Sequence, residues 1–306
     1  MARVTFHGAC GVVTGSATLL SWGETHVLVD CGLFQGREEE ERRNRGPFPA
    51  PPSELSAVVL THAHLDHTGL LPRLVKEGFT GPVYCTRASR GLISLVLEDA
   101  GKIQEEEARY ARKKGYSRYR EPTPLYTAAD AKSAVKALEP VRFDEAKEIH
   151  PGVRIRFRRA GHLLGAASVE IRAKGADGHH RTWCFSGDVG RYDVPILKDP
   201  EPPIEPPAAL VLESTYGDRC HVAGETRDRL QEIITRTFDR GGTVIIPAFA
   251  LGRTQEVLYH LSELADAGTL DPAHVFLDSP MAITATDLYE RAVAEHDEEL
   301  VEMIDA

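Results

Sequence analysis

Apolar residues in "RVTFHG" and "SATLLSW" recur at roughly every second position, and "THVLVDCG" gathers them together, with glycine-rich turns in between. Alternation of this kind with β-branched content is strand chemistry, so the chain begins as a sheet. "ELSAVVLTH" is apolar on consecutive positions, as a strand covered on both faces is, and "GLLPRLVKEG" then follows a helical period closed by Gly78. "GPVYCT" predicts a further strand. From about Ala88 to Lys114 the pattern predicts one long helix, apolar at its front and rich in Gln, Glu and Lys at its solvated end. "RYARKKGYSRYR" next interleaves basic residues with tyrosines, either a solvated helix end or a patch facing nucleic acid.

"VRIRFRRAG" and "ASVEIRAKG" alternate strictly and flank "GHLLGA", and "RTWCFSGDVG" is an apolar strand ending at Ser-Gly-Asp. A second β-rich half therefore presents polar residues at its strand ends. Six prolines in "DVPILKDPEPPIEPPA" can neither continue a helix nor sit in a central strand, which marks a surface connector and a boundary near it. Beyond it the pattern predicts strand "ALVLEST", helix "TRDRLQEIITRTFDRG", strand "GTVIIPAF", helix "RTQEVLYHLSELADAG", strand "HVFLDSP" and a last helical stretch that runs to "EELVEMIDA". Such a βαβαβα run implies a parallel sheet. No internal repeat is visible.

The chain has 306 residues, 42% of them hydrophobic and 27% charged, enough for a sizeable core and one or two α/β domains. Neither a signal-peptide pattern nor an 18-residue apolar stretch is present, so the expected compartment is the cytoplasm. Cys10, Cys31, Cys85, Cys184 and Cys220 include no C-x-x-C pair and read as free thiols. A formal charge of −10 argues against coating nucleic acid by bulk electrostatics while leaving a local basic groove open.

Chemistry concentrates in "LTHAHLDHTG", where a buried strand ends. Residues two apart in an extended segment point the same way, so His62 and His64 can aim at one point, while Asp66 and His67, entering a helix, aim at a neighbouring one. Two adjacent metal sites result. Imidazole with carboxylate suits zinc, with manganese or iron(II) also possible, and the lack of cysteine ligands points to a catalytic site. One strand end cannot complete two shells; the best further candidates are His162 in "AGHLLGA" and Asp188 in "FSGDVG", each at a glycine-flanked turn after a strand. No nucleophile elbow and no phosphate-binding P-loop is present.

The His-x-His-x-Asp-His loop, "GHLLG", "SGDVG" and Asp30 in "LVDCG" resemble the metallo-β-lactamase fold, an α/β sandwich of αββα type with a dinuclear metal site. "GACGVVTGSATLL", "LVDCGLFQG", "LESTYGDR", "IPAFALGRTQE" and "LDSPMA" are more narrowly similar to its β-CASP branch, which includes RNase J and the endonuclease subunit of the cleavage and polyadenylation specificity factor. The resemblance implies a metallo-β-lactamase domain over 1–215 and a partial parallel α/β β-CASP module over 216–306. It implies two zinc ions, with His62, His64 and His162 on the first, Asp66 and His67 on the second, and Asp188 bridging. Asp30 would orient ligands; Asp66, Asp188 and Glu213 would be the catalytic carboxylates; Arg253 and Ser279 would reach substrate phosphates. Two metals about 3.5–4 Å apart would activate a water as hydroxide for in-line attack on a phosphodiester.

The implied function is a metal-dependent ribonuclease that hydrolyses RNA phosphodiester bonds in RNA processing, with RNA as substrate and partner and a homodimer as a further implication. The family's module normally returns to the first domain with two more motif histidines, and nothing follows Ala306, so the resemblance implies a truncated chain with an uncovered sheet edge. Three alternatives stay open: a DNA-repair nuclease, since RNA and DNA differ at the 2′-hydroxyl; another hydrolase on the same fold; and an inactive fragment or scaffold subunit.

Overall fold

The computed structural model describes residues 2–115, 122–175, 178–220, 226–297 and 300. These fall into two compact units: residues up to Tyr192 together with Asp199–Glu213, and Asp193–Lys198 together with the residues from Ser214 onward. The proline-rich connector is thus divided between them.

In the first unit, β1 (Arg3–Phe6), β2 (Thr18–Trp22), β3 (Thr25–Val29), β4 (Ala57–Val59), β5 (Val83–Thr86) and β6 (Leu138–Val141) form a sheet in chain order. A second sheet is ordered β11-β10-β9-β8-β7, from β7 (Lys147–His150), β8 (Val153–Arg159), β9 (Ala167–Lys174), β10 (His180–Phe185) and β11 (Ala209–Val211). Every strand expected in this unit forms. The chain also makes α1 (Glu38–Arg43), α2 (Leu65–Thr68), α3 (Leu71–Lys76), α4 (Ser89–Lys114) and α5 (Ala128–Val135).

Alternation explains how the sheets stack. Leu20, Val27, Val29, Val59 and Tyr84 of the first sheet and Val153, Ile155, Phe157, Val169, Ile171 and Phe185 of the second form one buried cluster. Trp22 and Trp183 extend it, their rings stacked at 6.3 Å. The intervening Leu28, Val58 and Cys85 are equally buried but lie outside the cluster, on the face that the helices cover. Against that face α4 buries Leu92, Ile93, Val96 and Leu97, and Gly115 closes it in the left-handed conformation at φ 70°. A β-carbon on Gly101 would lie 2.7 Å from Ala128 N, so a glycine is what lets α5 cross α4 this closely. α5 itself starts at a capping box between Thr127 and Asp130.

Strand direction decides where the loops go. β3, β4 and β5 are mutually parallel, and β8 and β10 are both antiparallel to β9 and hence run alike. The carboxyl ends of the strands preceding "LTHAHLDHTG", "GHLLGA" and "SGDVG" are therefore gathered at sheet edges instead of scattered.

The outer face of the second sheet carries part of the connector. There Arg158 donates to the Pro202 carbonyl at 3.2 Å, and Ile204 N–H donates to the buried Glu170 carboxylate at 2.8 Å. In the second unit, α6 (Thr226–Phe238), α7 (Arg253–Asp266) and α8 (Pro280–Glu290) form as predicted, and α6 and α7 meet at a small cluster of Ile234, Leu264 and Leu270. "GTVIIPAF" and "HVFLDSP", however, have no ladder partner among the described residues. β11, the strand meant to pair with them, is hydrogen-bonded parallel to β10 in the first unit. An apolar β-branched run makes a strand only when another backbone lies beside it. The two segments instead line an apolar cavity of about 180 Å³ against α6 and α7, and Ile245 and Phe276 stand 86% and 85% exposed. "RYARKKGYSRYR" from position 116 on, and "EELVEMIDA" apart from Leu300, lie outside the described residues.

Phe157 is fully buried at the centre of the inter-sheet cluster. Phe157→Ala should lower stability by about 3–5 kcal/mol, read from urea unfolding with an unchanged slope. A loss below about 1 kcal/mol would mean that this cluster does not hold the sheets together.

Candidate metal centre

The turn after β4 is held by its neighbour strand's end. Asp30 follows β3 in the left-handed region at φ 62°, rare for a non-glycine residue, and its buried carboxylate accepts from the Thr61 N–H at 2.8 Å. The next residues are stitched in sequence: Cys31 N–H to the His67 carbonyl, Leu33 N–H to Leu65, and Ser16 N–H to Asp66, each at 2.8 Å. A β-carbon on Gly32 would sit 1.7 Å from the Asp66 carbonyl, so this contact admits glycine alone. α2 begins directly after His64, which turns Asp66 and His67 away from the extended pair His62 and His64.

Two loops of the second sheet close on this one. His162 lies in the Gly161–Ala166 turn and Asp188 in the turn after β10, joined by Gly190 N–H to the Ala160 carbonyl at 2.7 Å. Ala167 N–H donates to the Thr61 carbonyl at 2.9 Å, tying the second sheet directly to the histidine loop of the first. On the other side of His162, the buried Thr86 hydroxyl donates to the Gly165 carbonyl at 2.7 Å.

Six side chains converge as a result. His62 Nε2 is 3.1 Å and His162 Nε2 3.3 Å from His64 Nδ1. Asp188 Oδ2 lies 3.7 Å from His62 Nε2 and 3.5 Å from His162 Nε2. These four residues place ligand atoms within 4.8 Å of one another, three imidazoles and one carboxylate, a donor set that fits a divalent metal ion. The other oxygen of Asp188 faces elsewhere: Oδ1 is 3.2 Å from His67 Nε2, which lies 4.0 Å from Asp66 Oδ2. Asp188 thus turns one oxygen to each of two groups of donors.

Electrostatics divides the histidines. Burial, with the neighbouring imidazoles, pushes His62 well below the usual range, and burial and His162 bring His64 down to about 4. Burial likewise lowers His162. Burial works the same way on His67, but the carboxylates of Asp30, 2.7 Å from its Nδ1, and Asp188 overcome it and raise it well above 6.5. Burial raises Asp66; in Asp188 its effect is outweighed by the hydrogen bond and charge of His67, which lower it. In the metal-free chain His62, His64 and His162 therefore weaken folding as pH falls below 6.5, whereas the His67 contribution is present there and fades as pH rises through its raised value.

Asp30 places its Oδ2 2.7 Å from His67 Nδ1. Glu213 does not join the ligand atoms; its carboxylate accepts from the Val189 N–H at 3.1 Å and its own N–H donates to Ser186 Oγ at 3.0 Å, bracing the Asp188 turn. Arg253 opens α7 with its guanidinium 3.3 Å from Glu256, and the Ser279 hydroxyl caps α8 by accepting from Ala282 N–H at 3.2 Å. Both residues belong to the second unit and are occupied at helix starts. Two hydroxyls escaped the reading of spacings. Ser16 Oγ donates to Asp30 Oδ2 at 3.0 Å, and Thr61 Oγ1 lies within 3.1 Å of both Asp30 oxygens; only the "THAH" context hinted at the latter.

A sandwich of two sheets with this histidine and aspartate edge is the architecture of the metallo-beta-lactamase superfamily, and residues 10–219 match that family's model, so the chain belongs to it. Residues 254–305 match the Beta-Casp domain, which sets the chain in the β-CASP branch. It is 43% identical to Ribonuclease TTHA0252 of Thermus thermophilus, over 97% of this chain and 63% of that protein. With Transcription termination factor FttA of Methanosarcina mazei it shares 36% identity over 90% of this chain and 41% of that one. The chain therefore spans less than two thirds of the relatives' length. Among solved structures, a protein of unknown function from Enterococcus faecalis aligns over 94% of this chain and 68% of its own with TM-score 0.52 and 13% identity, a likeness of fold. No helix among the described residues is long and apolar enough to cross a membrane.

Neighbouring carboxylates favour a proton on His67 that a metal must displace, whereas His62, His64 and His162 are shifted toward the neutral form. Titrating the metal-free chain with a divalent metal should release about one proton, seen calorimetrically as a binding heat that scales with the ionisation enthalpy of the buffer. A heat independent of the buffer would contradict the protonated His67.

Proposed function

We propose that this chain is the catalytic part of a metal-dependent ribonuclease that hydrolyses RNA phosphodiester bonds, acting as an RNA-processing endonuclease in the cytoplasm. The observation that carries the reading is Asp188, whose two oxygens face two different donor groups at 3.5 Å and 3.2 Å. In this proposal His62, His64 and His162 would hold one zinc ion and Asp66 and His67 a second, with Asp188 offering an oxygen to each and manganese as the alternative ion. When bound, a metal pair supplies Lewis-acid charge and activates water for attack on phosphorus. The chain's own residues fix that charge in place. Asp30 holds the His67 ring, Glu213 braces the Asp188 turn through Val189, and Asp66 and Asp188 contribute the anionic oxygens that neutralise the pair.

A metallo-β-lactamase domain over 1–215 supplies every one of these residues, and a β-CASP module over 216–306 supplies Arg253 and Ser279 as candidate contacts to the substrate backbone. RNA as substrate is supported by the similarity to a ribonuclease together with the β-CASP match. Five free cysteines accord with a reducing compartment.

Metal analysis and cleavage of matched RNA and DNA oligonucleotides test the reading, with His64→Ala as control. About two equivalents of metal and RNA cleavage abolished in the variant are expected. Cleavage of DNA alone would make the chain a DNA nuclease, and metal without cleavage of either would remove the nuclease reading.

A further inference from the structure

The ring nitrogen that His62 turns toward the donor cluster is Nε2, so its Nδ1 must carry the proton if Nε2 is to offer a lone pair. A neutral imidazole has two tautomers, and a buried one adopts whichever its second nitrogen's partner requires. His67 has its partner in the Asp30 carboxylate at 2.7 Å. His62 faces no carboxylate on that side. Its Nδ1 lies 3.1 Å from the hydroxyl of Thr61, a side chain buried to 1% exposure.

A hydroxyl can donate once and accept as well, which by itself would leave the direction of this contact open. The surroundings close it. Thr61 Oγ1 stands 3.0 Å and 3.1 Å from the two oxygens of Asp30, an acceptor-only group, so the hydroxyl proton goes to Asp30. Only lone pairs remain toward His62, and Nδ1 must donate. Thr61 cannot turn away from this task. Its N–H donates to Asp30, its carbonyl accepts from Ala167 of the other sheet, and a β-carbon on the adjoining Gly187 would lie 2.7 Å from Thr61 Cβ.

We propose that Thr61 is a positioning residue of the metal centre: its hydroxyl relays the Asp30 carboxylate to His62 and holds that ring as the Nδ1–H tautomer with Nε2 free to bind metal. One carboxylate then orients a histidine in each donor group, His67 directly and His62 through a threonine. Valine at this position would keep the shape and remove the relay, leaving the Nδ1 of His62 beside a methyl group. Serine would keep the hydroxyl. The proposal rests on the metal-centre reading above.

Long-range ¹H–¹⁵N correlation spectra of the histidine rings in the metal-free 306-residue chain read the tautomer without any assay of cleavage. The wild-type chain should show His62 protonated on Nδ1, and Thr61→Val should show a mixture or the Nε2–H form. Zinc affinity, from competition with a chelating dye, should fall about 10–100-fold in Thr61→Val, as the loss of an orienting partner generally costs. Thr61→Ser should restore both readings. His62 protonated on Nε2 in the wild-type chain overturns the proposal, and that reading stands even if the valine variant fails to fold. So does wild-type zinc affinity in Thr61→Val, or a serine variant as weak as valine. A wild-type chain that binds no zinc overturns instead the metal-centre reading on which the proposal rests.

Discussion

Four imidazoles and two carboxylates crowded at one sheet edge are a burden on the metal-free chain, and the rest of the structure is arranged to keep them there. Burial and mutual repulsion hold three of the histidines neutral, with His64 down to about 4. Left mobile, those rings would swing to water and protonate. What prevents it is backbone: Cys31, Leu33 and Ser16 each spend an N–H on the loop that carries Asp66 and His67, and Ala167 and Gly190 spend theirs joining the loops of the second sheet. A main-chain hydrogen bond between two loops costs far less conformational freedom than a long side chain reaching across, which makes it the better device for fixing ligand atoms.

The same constraint accounts for the odd backbone in the neighbourhood. Asp30 accepts a left-handed conformation because only from there does its carboxylate meet Thr61, Ser16 and His67 together. Gly32 and Gly190 are glycines because the carbonyls of Asp66 and Gly161 stand where a β-carbon would be, at 1.7 Å in each case. Strain and lost side chains at these places are offset by the inter-sheet core, in which Phe157, Ile155 and Val169 hold the two sheets at a fixed distance. Core and site are thus one mechanical problem: the first unit's two sheets carry different ligands, and their spacing sets the spacing of the donors.

Much of this is legible in the sequence. Alternation in "VRIRFRRAG" and the apolar run of "SAVVL" announced strands, and the turns that follow them announced the ligands, because His62, His64, Asp66, His67, His162 and Asp188 sit at strand ends where side chains are exposed and backbone is rigid. The short α5 and the polar β7 were not foreseen. "AADAKSAV" is built of small residues with little apolar contrast, and "KEIH" leaves every second residue in water. In the second unit the apolar content of "GTVIIPAF" promised a strand, but pairing is a property of two segments, and its intended neighbour pairs with β10. Least legible were the ties that complete the site. Ala167 to Thr61 and Gly190 to Ala160 are contacts between backbone atoms, which every residue possesses, so no residue type marks them. The bracing role of Glu213 shares that difficulty, since its partner is the backbone of Val189.

Anomalous diffraction from crystals of the metal-loaded chain tests the central claim most directly, because it locates ions without reference to activity. The account predicts two peaks about 3.5–4 Å apart, the separation usual for paired catalytic metals, one among His62, His64 and His162, the other beside Asp66 and His67, with Asp188 between them. A single peak with Asp188 turned wholly toward the three histidines, or peaks away from these loops, would contradict it.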